Sequence, residues 1–419
     1  MTATKNTAKR LVAAIIILSF SLLLLSSCSI SSDFVATRLE ELGVPSFKHS
    51  KLKSVEVLYR DYYISDMTAP DELAPLVAEH YFENYHEKID TGNKNDVTDA
   101  LVRSYVAVIG DPYSFYRSSE EHKDYDATMS GTYFGIGVEV RWSAEDQTMT
   151  VTQLFDDGGA QEAGVKVGDL ITSANGKLLS DIGYDAMVAE ILGEADTTVT
   201  VTVLRGDEEL SFTITRRKIV EKTVTYSIDE NKIAYIKIAS FKSNTPKQFK
   251  EAVDYIKSHG AVAVVYDLRG NGGGYLSSLV DVVSHISPAG TLITSFSNGE
   301  TAEWDTTFEQ LTLPTVVLCD EYTASAGELF TACMRDFEAL GFFEVTIVGE
   351  KTYGKGVMQR TFPFTDGSSL TITIGYYNPP SGENYDGKGV TPDVIVELTG
   401  EGDAQLDAAY EEINKFINK

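Results

Sequence analysis

Strands and helices alternate through the C-terminal half of the chain, and this alternation limits the possible folds more than any other feature. Between Glu221 and Leu398, short apolar runs typical of buried strands alternate with amphipathic helical patterns. The predicted order is strand 233–238, helix 246–258, strand 261–268, helix 275–286, strand 314–319, helix 326–339 and strand 344–348. A chain with this alternation folds into an α/β layer on a mostly parallel sheet. An amphipathic helix over 403–417 closes the chain.

Two different patterns precede this layer, as expected for a chain of 419 residues. From about Ser54 to Val108 the apolar residues have helical spacing, and the last of these helices stops at the turn over 110–114. From about Ser130 to Arg217 the chain changes to short strands with a period of two residues. We therefore expect a small helical region, then a β-rich module, then the α/β layer.

The N-terminus has the pattern of an export signal. Three basic residues precede an uncharged apolar run of fifteen residues over 11–25, too short for a membrane span but typical of a signal-peptide core. The run ends in Leu25-Ser26-Ser27-Cys28, which resembles the bacterial lipobox, whose cysteine is lipidated. We expect a cleaved leader over 1–27, a lipid on Cys28 and a loosely ordered tether over 28–53. An uncleaved anchor helix is the alternative. Either way, the body would lie outside the cytoplasm, at the outer face of the cell membrane.

Charge and residue counts exclude several classes of protein. The 62 acidic and 35 basic residues give a net charge of -27, which repels the phosphates of nucleic acids. The 3 cysteines are too few for a disulfide scaffold or a structural zinc site, and the 6 histidines lack ligand spacing. These counts argue against a metal enzyme that uses cysteine or histidine ligands, while a site built from carboxylates stays open. For Cys319 and Cys333, buried free thiols are favoured over a disulfide.

The β-rich segment 130–217 resembles a PDZ domain. The resemblance is carried by Tyr133-Phe134-Gly135-Ile136-Gly137-Val138, by 163–171 and by Asn175-Gly176. A glycine-bearing loop before an edge strand leaves N–H groups free to hold a terminal carboxylate, while the strand edge accepts an extended peptide. The predicted tail-binding residues are Phe134, Gly135, Ile136, Gly137 and Val138, with the apolar side chains lining a pocket. The alternative is a small β-domain whose loop merely turns.

A glycine loop follows the predicted strand 261–268. In Asp267-Leu268-Arg269-Gly270-Asn271-Gly272-Gly273-Gly274, the glycines allow a backbone N–H to approach a ligand closely. A phosphate-binding loop would require a GK[ST] sequence, which is absent here. The dinucleotide pattern fails because Tyr275 occupies the third glycine position.

Ser325 lies where a second apolar strand turns into a helix. A serine there can be a nucleophile, with N–H groups of the first helical turn facing an oxyanion; a helix N-cap is the alternative. The elbow pattern GxSxG fits only in part, since Thr323 takes its first glycine position.

No histidine lies in the last 134 residues, so a lysine with a burial-lowered pKa is the better base. Lys355, between two glycines, fits this role better than Lys351, although an exposed turn lysine is the alternative.

Together these segments resemble the carboxyl-terminal processing peptidases, also called tail-specific proteases. Further shared motifs are Gly110-Asp111-Pro112-Tyr113-Ser114, 349–356 with Gln359, and 387–393. The resemblance implies a ClpP/crotonase-like, tricorn-core α/β layer with an inserted PDZ domain and a helical N-terminal region. It also implies roles for individual residues: Ser325 as nucleophile, Lys355 as general base, Gln359 as the residue that orients the lysine, and an oxyanion hole from Ala326 with Gly272 or, second, Gly273.

The implied protein is a lipid-tethered serine endopeptidase without a cofactor, which acts on proteins with exposed apolar C-termini and forms a possible homodimer. An inactive PDZ adaptor on the same fold is the alternative, and a lipase or esterase is a third reading. The expected divisions are 1–27, 28–53, 54–127 for the helices, 128–218 for the PDZ domain, 219–400 for the peptidase core and 401–419 for the last helix. The sequence departs from the family by extra residues around 337–344 and by Gly327, where alanine or serine is usual.

Overall fold

A computed structural model describes residues 34–45, 50–155, 157–297, 300–306, 311, 313–398 and 402–418. The predicted leader over 1–27 and the predicted lipidation site Cys28 lie outside these residues. Within them, no helix is both long and apolar enough to cross a membrane. The chain forms two compact units. The first comprises Met1–Ser118 with Gln359–Ile374, and the second comprises Ser119–Met358 with Gly375–Lys419.

The first unit is mainly helical, as the sequence predicts. Its elements before residue 118 are α1 (Val35–Arg38), α2 (Ser50–Tyr62), α3 (Pro70–Asn84), α4 (Lys94–Ile109) and strand β1 (Phe115–Arg117). Helix α4 starts at Asn93, whose side chain accepts a hydrogen bond from Asn95 N, and stops at Gly110 in the left-handed conformation. Strand β1 pairs antiparallel with residues 369–371, so a distant segment completes this unit. The sequence pattern did not reveal this long-range pairing.

The prediction of a loosely ordered tether over 28–53 is wrong for residues 34–44. Val35, Ala36 and Leu39 are buried, with at most 1% of their surface exposed. Both oxygens of the Glu56 carboxylate on α2 accept hydrogen bonds from this segment, at 2.9 Å from Val35 N and 3.0 Å from Ala36 N. A four-residue helix is too short to show a periodic pattern, which explains why the sequence did not predict it.

The second unit begins with the β-rich module. Its elements are α5 (Ser119–Ser130), β2 (Thr132–Gly135), β3 (Val138–Ser143), β4 (Thr148–Leu154), α6 (Gly159–Ala163), β5 (Leu170–Ala174), β6 (Lys177–Leu178), α7 (Leu179–Ile191), β7 (Thr198–Arg205), β8 (Glu208–Thr215) and β9 (Arg217–Val220). Strands β3-β4-β5-β7-β8 form one sheet in this order. Helix α7 was not predicted, because Gly183 (φ 77°) interrupts its helical geometry and its periodicity.

A buried ion pair closes one loop of this module. The Asp169 side chain, 1% exposed, accepts hydrogen bonds from Arg205 Nε and Nη2, both at 2.7 Å, and from Lys166 N at 2.8 Å. The Arg205 guanidinium holds the pKa of Asp169 below its usual range. Arg205 also donates to Gly164 O at 2.8 Å, so the pair fixes both ends of the loop between α6 and β5.

The α/β layer follows the predicted order of elements, to within two residues at each end. It contains β10 (Val224–Ile228), β11 (Ile233–Ile238), α8 (Thr245–Ser258), β12 (Ala263–Asp267), α9 (Leu276–Ser284), β13 (Gly290–Ser297), β14 (Glu300–Thr306), β15 (Thr315–Cys319), α10 (Ala326–Ala339), β16 (Val345–Gly349), β17 (Val357–Pro363), β18 (Ser369–Asn378), β19 (Val394–Ile395) and α11 (Ala404–Ile417). The main sheet has the order β10-β11-β12-β15-β16-β19 and is parallel from β11 onward. The hairpin β13–β14 and strands β17 and β18 were not predicted.

Helices cover both faces of this sheet, which makes its strands apolar throughout. One face packs against α8, α9 and α10 through residues such as Phe249, Leu279 and Phe330. The other packs against α11 through Ala409 and Ile413. Cys319 and Cys333 are buried free thiols, as expected from the sequence, and burial raises the pKa of both.

The Asp169–Arg205 pair gives a test of the β-rich module. We expect Asp169→Asn to lower the free energy of unfolding by about 2 kcal/mol at pH 7, because Arg205 then loses its charged partner. Since the folded-state pKa of Asp169 is lowered, its contribution is present above the unfolded value of about 3.9 and is lost as the pH falls through the folded value. The difference between parent and variant should therefore narrow below about pH 4.

Urea unfolding followed by Trp142 fluorescence measures this difference, in a Trp304→Phe background so that the signal reports the β-rich module. The matched control is Glu162→Gln, which breaks the exposed Glu162–Arg217 pair in the same module. We expect the control to change the free energy of unfolding much less than Asp169→Asn, because solvent screens an exposed ion pair. Equal effects of the two variants would contradict a specific role for the buried pair.

Candidate active site

The turn between β15 and α10 presents Ser325 in an unusual backbone conformation. Ser325 has φ 55° and ψ -118°, a region that residues other than glycine rarely adopt. Such a strained strand-to-helix turn exposes the side chain of a nucleophilic serine. Ser325 does occupy the N-cap position of α10, but its hydroxyl does not cap the helix and instead lies 3.1 Å from Tyr377 Oη. The N-cap alternative therefore does not account for this side chain.

The glycine loop after β12 packs directly against this turn. Ala324 N donates to Asn271 O at 2.9 Å, and Thr323 Oγ1 donates to Leu268 O at 2.9 Å. Gly273 has φ 101°, and a Cβ built on it would lie 2.8 Å from Ser325 Cβ. Only glycine fits this position, because any side chain would collide with the serine.

Gly327 also allows the glycine loop to lie close to the start of α10. A Cβ at this position would lie 2.7 Å from Asn271 O. The missing side chain of Gly327 lets the carbonyl of the glycine loop pack against α10.

The N–H groups of Ala326 and Gly272, which lie in the Ser325 turn and in the glycine loop, have no hydrogen-bond partner among the described residues. Gly273 N instead donates to Asn271 Oδ1 at 2.8 Å. Since an oxyanion hole requires uncommitted donors, this pattern favours Gly272 over Gly273. The assignment of Ala326 and Gly272 to the oxyanion hole stays a prediction.

A buried carboxylate connects the Ser325 turn to the loop that carries Lys355. Glu328, in the first turn of α10, has 0% of its surface exposed. Its Oε2 accepts hydrogen bonds from Ser325 N at 2.9 Å and Lys355 N at 2.8 Å. Its Oε1 accepts from Gly354 N and Thr352 Oγ1, both at 2.6 Å. The main chains of Ser325 and Lys355 are thus held by the same side chain, and Lys355 is half-buried.

Two buried tyrosines complete this arrangement. Tyr377 on β18 donates to Lys355 O at 3.0 Å, and Tyr385 donates to Ser325 O at 3.3 Å. Burial raises the pKa of both phenols, so they act as neutral hydroxyl groups. Within the described part of the chain, no histidine is among the hydrogen-bond partners of Ser325, and the role of Lys355 as base stays a prediction.

Gln359 belongs to the first unit, and its Nε2 donates to Thr373 Oγ1 at 3.3 Å. Its proposed role in orienting Lys355 stays a prediction. In the parts of the chain that the structure describes, no group of three or more His, Cys, Asp or Glu residues could hold a metal ion.

The predicted tail-binding segment lies beside an open strand edge. Strand β3 ends its sheet, so its outer edge has no strand partner among the described residues. The N–H groups of Ile136 and Gly137, just before β3, have no partner among those residues either. Val138 on β3 is partly buried, and Trp142 contacts Tyr184 of α7 with ring centroids 5.3 Å apart. The side chains that β3 and α7 direct toward each other are therefore apolar, which is the character that a peptide groove between them would need.

One part of the tail-binding prediction needs correction. The Ile136 side chain is 1% exposed and lies in the core of the module, so it cannot line an open pocket. Phe134 and Gly135 lie in β2, which pairs with β9, and the Phe134 side chain is 42% exposed. In the predicted tail-binding site, Ile136 can therefore offer its N–H group but not its side chain.

Sequence reasoning missed Glu328, Tyr377 and Tyr385. Glu328 had a visible signal, because Ser325-Ala326-Gly327-Glu328 matches the S-x-x-E pattern of a helix start. The tyrosines had none, since they lie 52 and 60 residues after Ser325 and meet it only in the folded chain.

Glu328→Gln tests whether this carboxylate positions the two loops. The amide would turn a donor toward two N–H groups, so we expect the reaction of Ser325 with a fluorophosphonate to slow by about tenfold or more. Labelling rates and melting temperatures of the parent, Glu328→Gln and Glu321→Gln measure this effect. Glu321 is exposed on the same turn, so its variant should match the parent. Parent-like labelling of Glu328→Gln would contradict the positioning role.

Comparison with known proteins identifies two domains in this chain. The profile of peptidase family S41 matches residues 232–396, and the PDZ domain profile matches residues 134–215. A probable CtpA-like serine protease of Staphylococcus aureus strain N315 is 33% identical over 319 residues, 75% of this chain and 62% of that protein. A protein of the same description from Staphylococcus haemolyticus is 32% identical over 320 residues, with the same shares. The alignment thus covers less than two thirds of the length of these relatives.

Solved structures share the fold at low sequence identity. A putative S41 protease of Bacteroides fragilis matches with a TM-score of 0.52 and 18% identity, over 89% of this chain and 98% of that one. A lipoprotein of Streptococcus agalactiae matches with a TM-score of 0.52 and 12% identity over the same shares. The predicted fold class is confirmed. The chain thus contains a PDZ domain over residues 134–215, followed by a domain of peptidase family S41 over residues 232–396.

Proposed function

We propose that this chain is a membrane-tethered, extracytoplasmic serine endopeptidase that captures exposed C-terminal tails through its PDZ domain. Peptide bonds are then hydrolysed by Ser325 with Lys355 as base. The observation that carries the proposal is the shared Glu328 carboxylate, which holds the Ser325 turn and the Lys355 loop together. The conformation of Ser325, typical of a nucleophile at a strand-to-helix turn, supports it.

The reaction follows from the groups around Ser325. The neutral amine of Lys355 takes the hydroxyl proton as Oγ attacks the peptide carbonyl carbon, and the N–H groups of Ala326 and Gly272 stabilise the oxyanion. The amine then gives its proton to the leaving nitrogen, which leaves an acyl-enzyme on Ser325. Water, activated by the same amine, releases the acyl group, while Gln359 orients the lysine.

Tail capture follows from the open edge of β3. An extended peptide adds to this edge as a further strand, and its terminal carboxylate binds the N–H groups of Ile136 and Gly137. The apolar space between β3 and α7 takes the last side chains, so the substrates are proteins with exposed apolar C-termini.

The tether rests on the sequence alone. The leader pattern over 1–27 and the lipobox-like Leu25-Ser26-Ser27-Cys28 support a lipid on Cys28 and a location at the outer face of the cell membrane. The net charge of -27 gives no attraction to anionic lipids, so the lipid alone holds the protein there. A homodimer is part of this proposal through the family resemblance only.

Replacement of the two reacting residues tests the activity. We expect the chain from residue 29 onward to cleave a loosely folded protein with an apolar tail, whereas Ser325→Ala and Lys355→Ala reduce the rate by about a thousandfold or more. Lys351→Ala is the matched control, because Lys351 is exposed four residues before Lys355 and should retain parent activity. Cleavage is followed on gels over time. An inactive parent that still binds the tail would favour the PDZ adaptor.

Peptide binding to Ser325→Ala tests tail capture without cleavage. We expect a fluorescent peptide with an apolar, free C-terminus to bind at least about tenfold more tightly than the same peptide with an amidated C-terminus, because the amide removes the charge that the N–H groups hold. Fluorescence anisotropy measures both affinities. Equal affinities would show that the carboxylate is not recognised and would exclude this mode of capture.

A further inference from the structure

The Tyr377 hydroxyl lies between the two halves of the proposed catalytic pair. Its oxygen is 3.1 Å from Ser325 Oγ and 3.0 Å from Lys355 O. The residue is 4% exposed and packs in the main core of the α/β layer, so this position is well defined. Of the polar groups around Ser325 in the described residues, this phenol is the partner of the reacting oxygen itself.

The number of protons determines the direction of these two hydrogen bonds. The carbonyl oxygen of Lys355 can only accept, so the single phenol proton of Tyr377 goes to it. The phenol oxygen then has only lone pairs to offer Ser325. The Ser325 hydroxyl therefore donates its own proton to Tyr377, because one of the two oxygens must supply it.

A serine hydroxyl that donates to a phenol is not ready for attack. It has a single proton, which must point at the general base when the nucleophile reacts. A neutral phenol that already donates elsewhere is a weak acceptor and does not remove the proton. The hydrogen bond to Tyr377 thus competes with the one to the base.

We propose that Tyr377 holds the Ser325 hydroxyl in a resting position, from which Ser325 must turn to its base before it attacks. This inference rests on the proposed function, because it requires Ser325 to be the nucleophile. Tyr377 is a restraint on the free enzyme, and substrate binding provides the contacts that draw Ser325 away from it. The phenol remains neutral during the exchange, since burial raises its pKa.

The labelling rate of Ser325 with a small fluorophosphonate tests this proposal, because the probe needs neither the PDZ domain nor a peptide groove. We expect Tyr377→Phe to react about twofold to tenfold faster than the parent, the range given by the loss of one competing hydrogen bond. If the variant were instead structurally damaged, its labelling rate would fall below that of the parent. A rate equal to or below that of the parent, with an unchanged melting temperature, would overturn the proposal.

Tyr385→Phe is the matched control. It removes a second buried phenol, which donates to the main-chain carbonyl of Ser325 and also interacts with the Tyr377 hydroxyl, but does not touch Ser325 Oγ. Its rate should not exceed that of the parent, and an equal increase in both variants would overturn the proposal. Ser325→Ala distinguishes the two levels of the account. Continued labelling of Ser325→Ala would refute the proposed function. If Ser325→Ala is not labelled, but Tyr377→Phe is labelled no faster than the parent, only the resting position is refuted.

A crystal structure of the parent with a peptide aldehyde bound to Ser325 tests the proposal without any variant, in case Tyr377→Phe does not fold. We expect Ser325 Oγ to have moved beyond hydrogen-bond distance of Tyr377 Oη, about 3.5 Å or more. Retention of the contact in the adduct would overturn the proposal.

Discussion

The buried carboxylate of Glu328 is the interaction on which the rest of the site depends. A fully buried carboxylate is tolerated only when its oxygens are hydrogen-bonded, and here four donors from two loops satisfy them. One loop carries Ser325 and the other carries Lys355. The distance between the two loops is therefore set by their hydrogen bonds to the buried Glu328 carboxylate, and not by the flexible side chains of the reacting residues.

Glycines supply the second constraint at this site. Gly273 and Gly327 allow the loop after β12 to approach the Ser325 turn within van der Waals distance, where any Cβ would collide. Glycines allow the same close backbone packing in the PDZ domain, where a Cβ on Gly137 would lie 2.4 Å from Gly158 Cα. In both places the absence of side chains brings backbone N–H groups to the surface of a site. In the proposed function, both groups of main-chain donors bind a negatively charged oxygen.

The sequence predicted the elements with regular patterns and missed those formed by distant residues. The alternation over 221–398 predicted the order of strands and helices, because strands buried on both faces must be apolar. Ser325 and Lys355 stood out through the loops around them. Helix α7 was missed because Gly183 interrupts its helical periodicity. The packed segment 34–44 was missed because its helix is too short to show a periodic apolar pattern. Tyr377 contacts Ser325 only across the fold, and a single sequence contains no local signal for such a contact.

The central claim is that Ser325 forms an acyl-enzyme with Lys355 as its base. The most direct measurement is mass spectrometry of the protein after reaction with a peptide ester and a rapid acid quench. The account predicts one acyl group on the peptide fragment that contains Ser325, and none in Lys355→Ala under the same conditions. An acyl group on another residue, or ester hydrolysis by the parent without a trapped acyl group on Ser325, would contradict it.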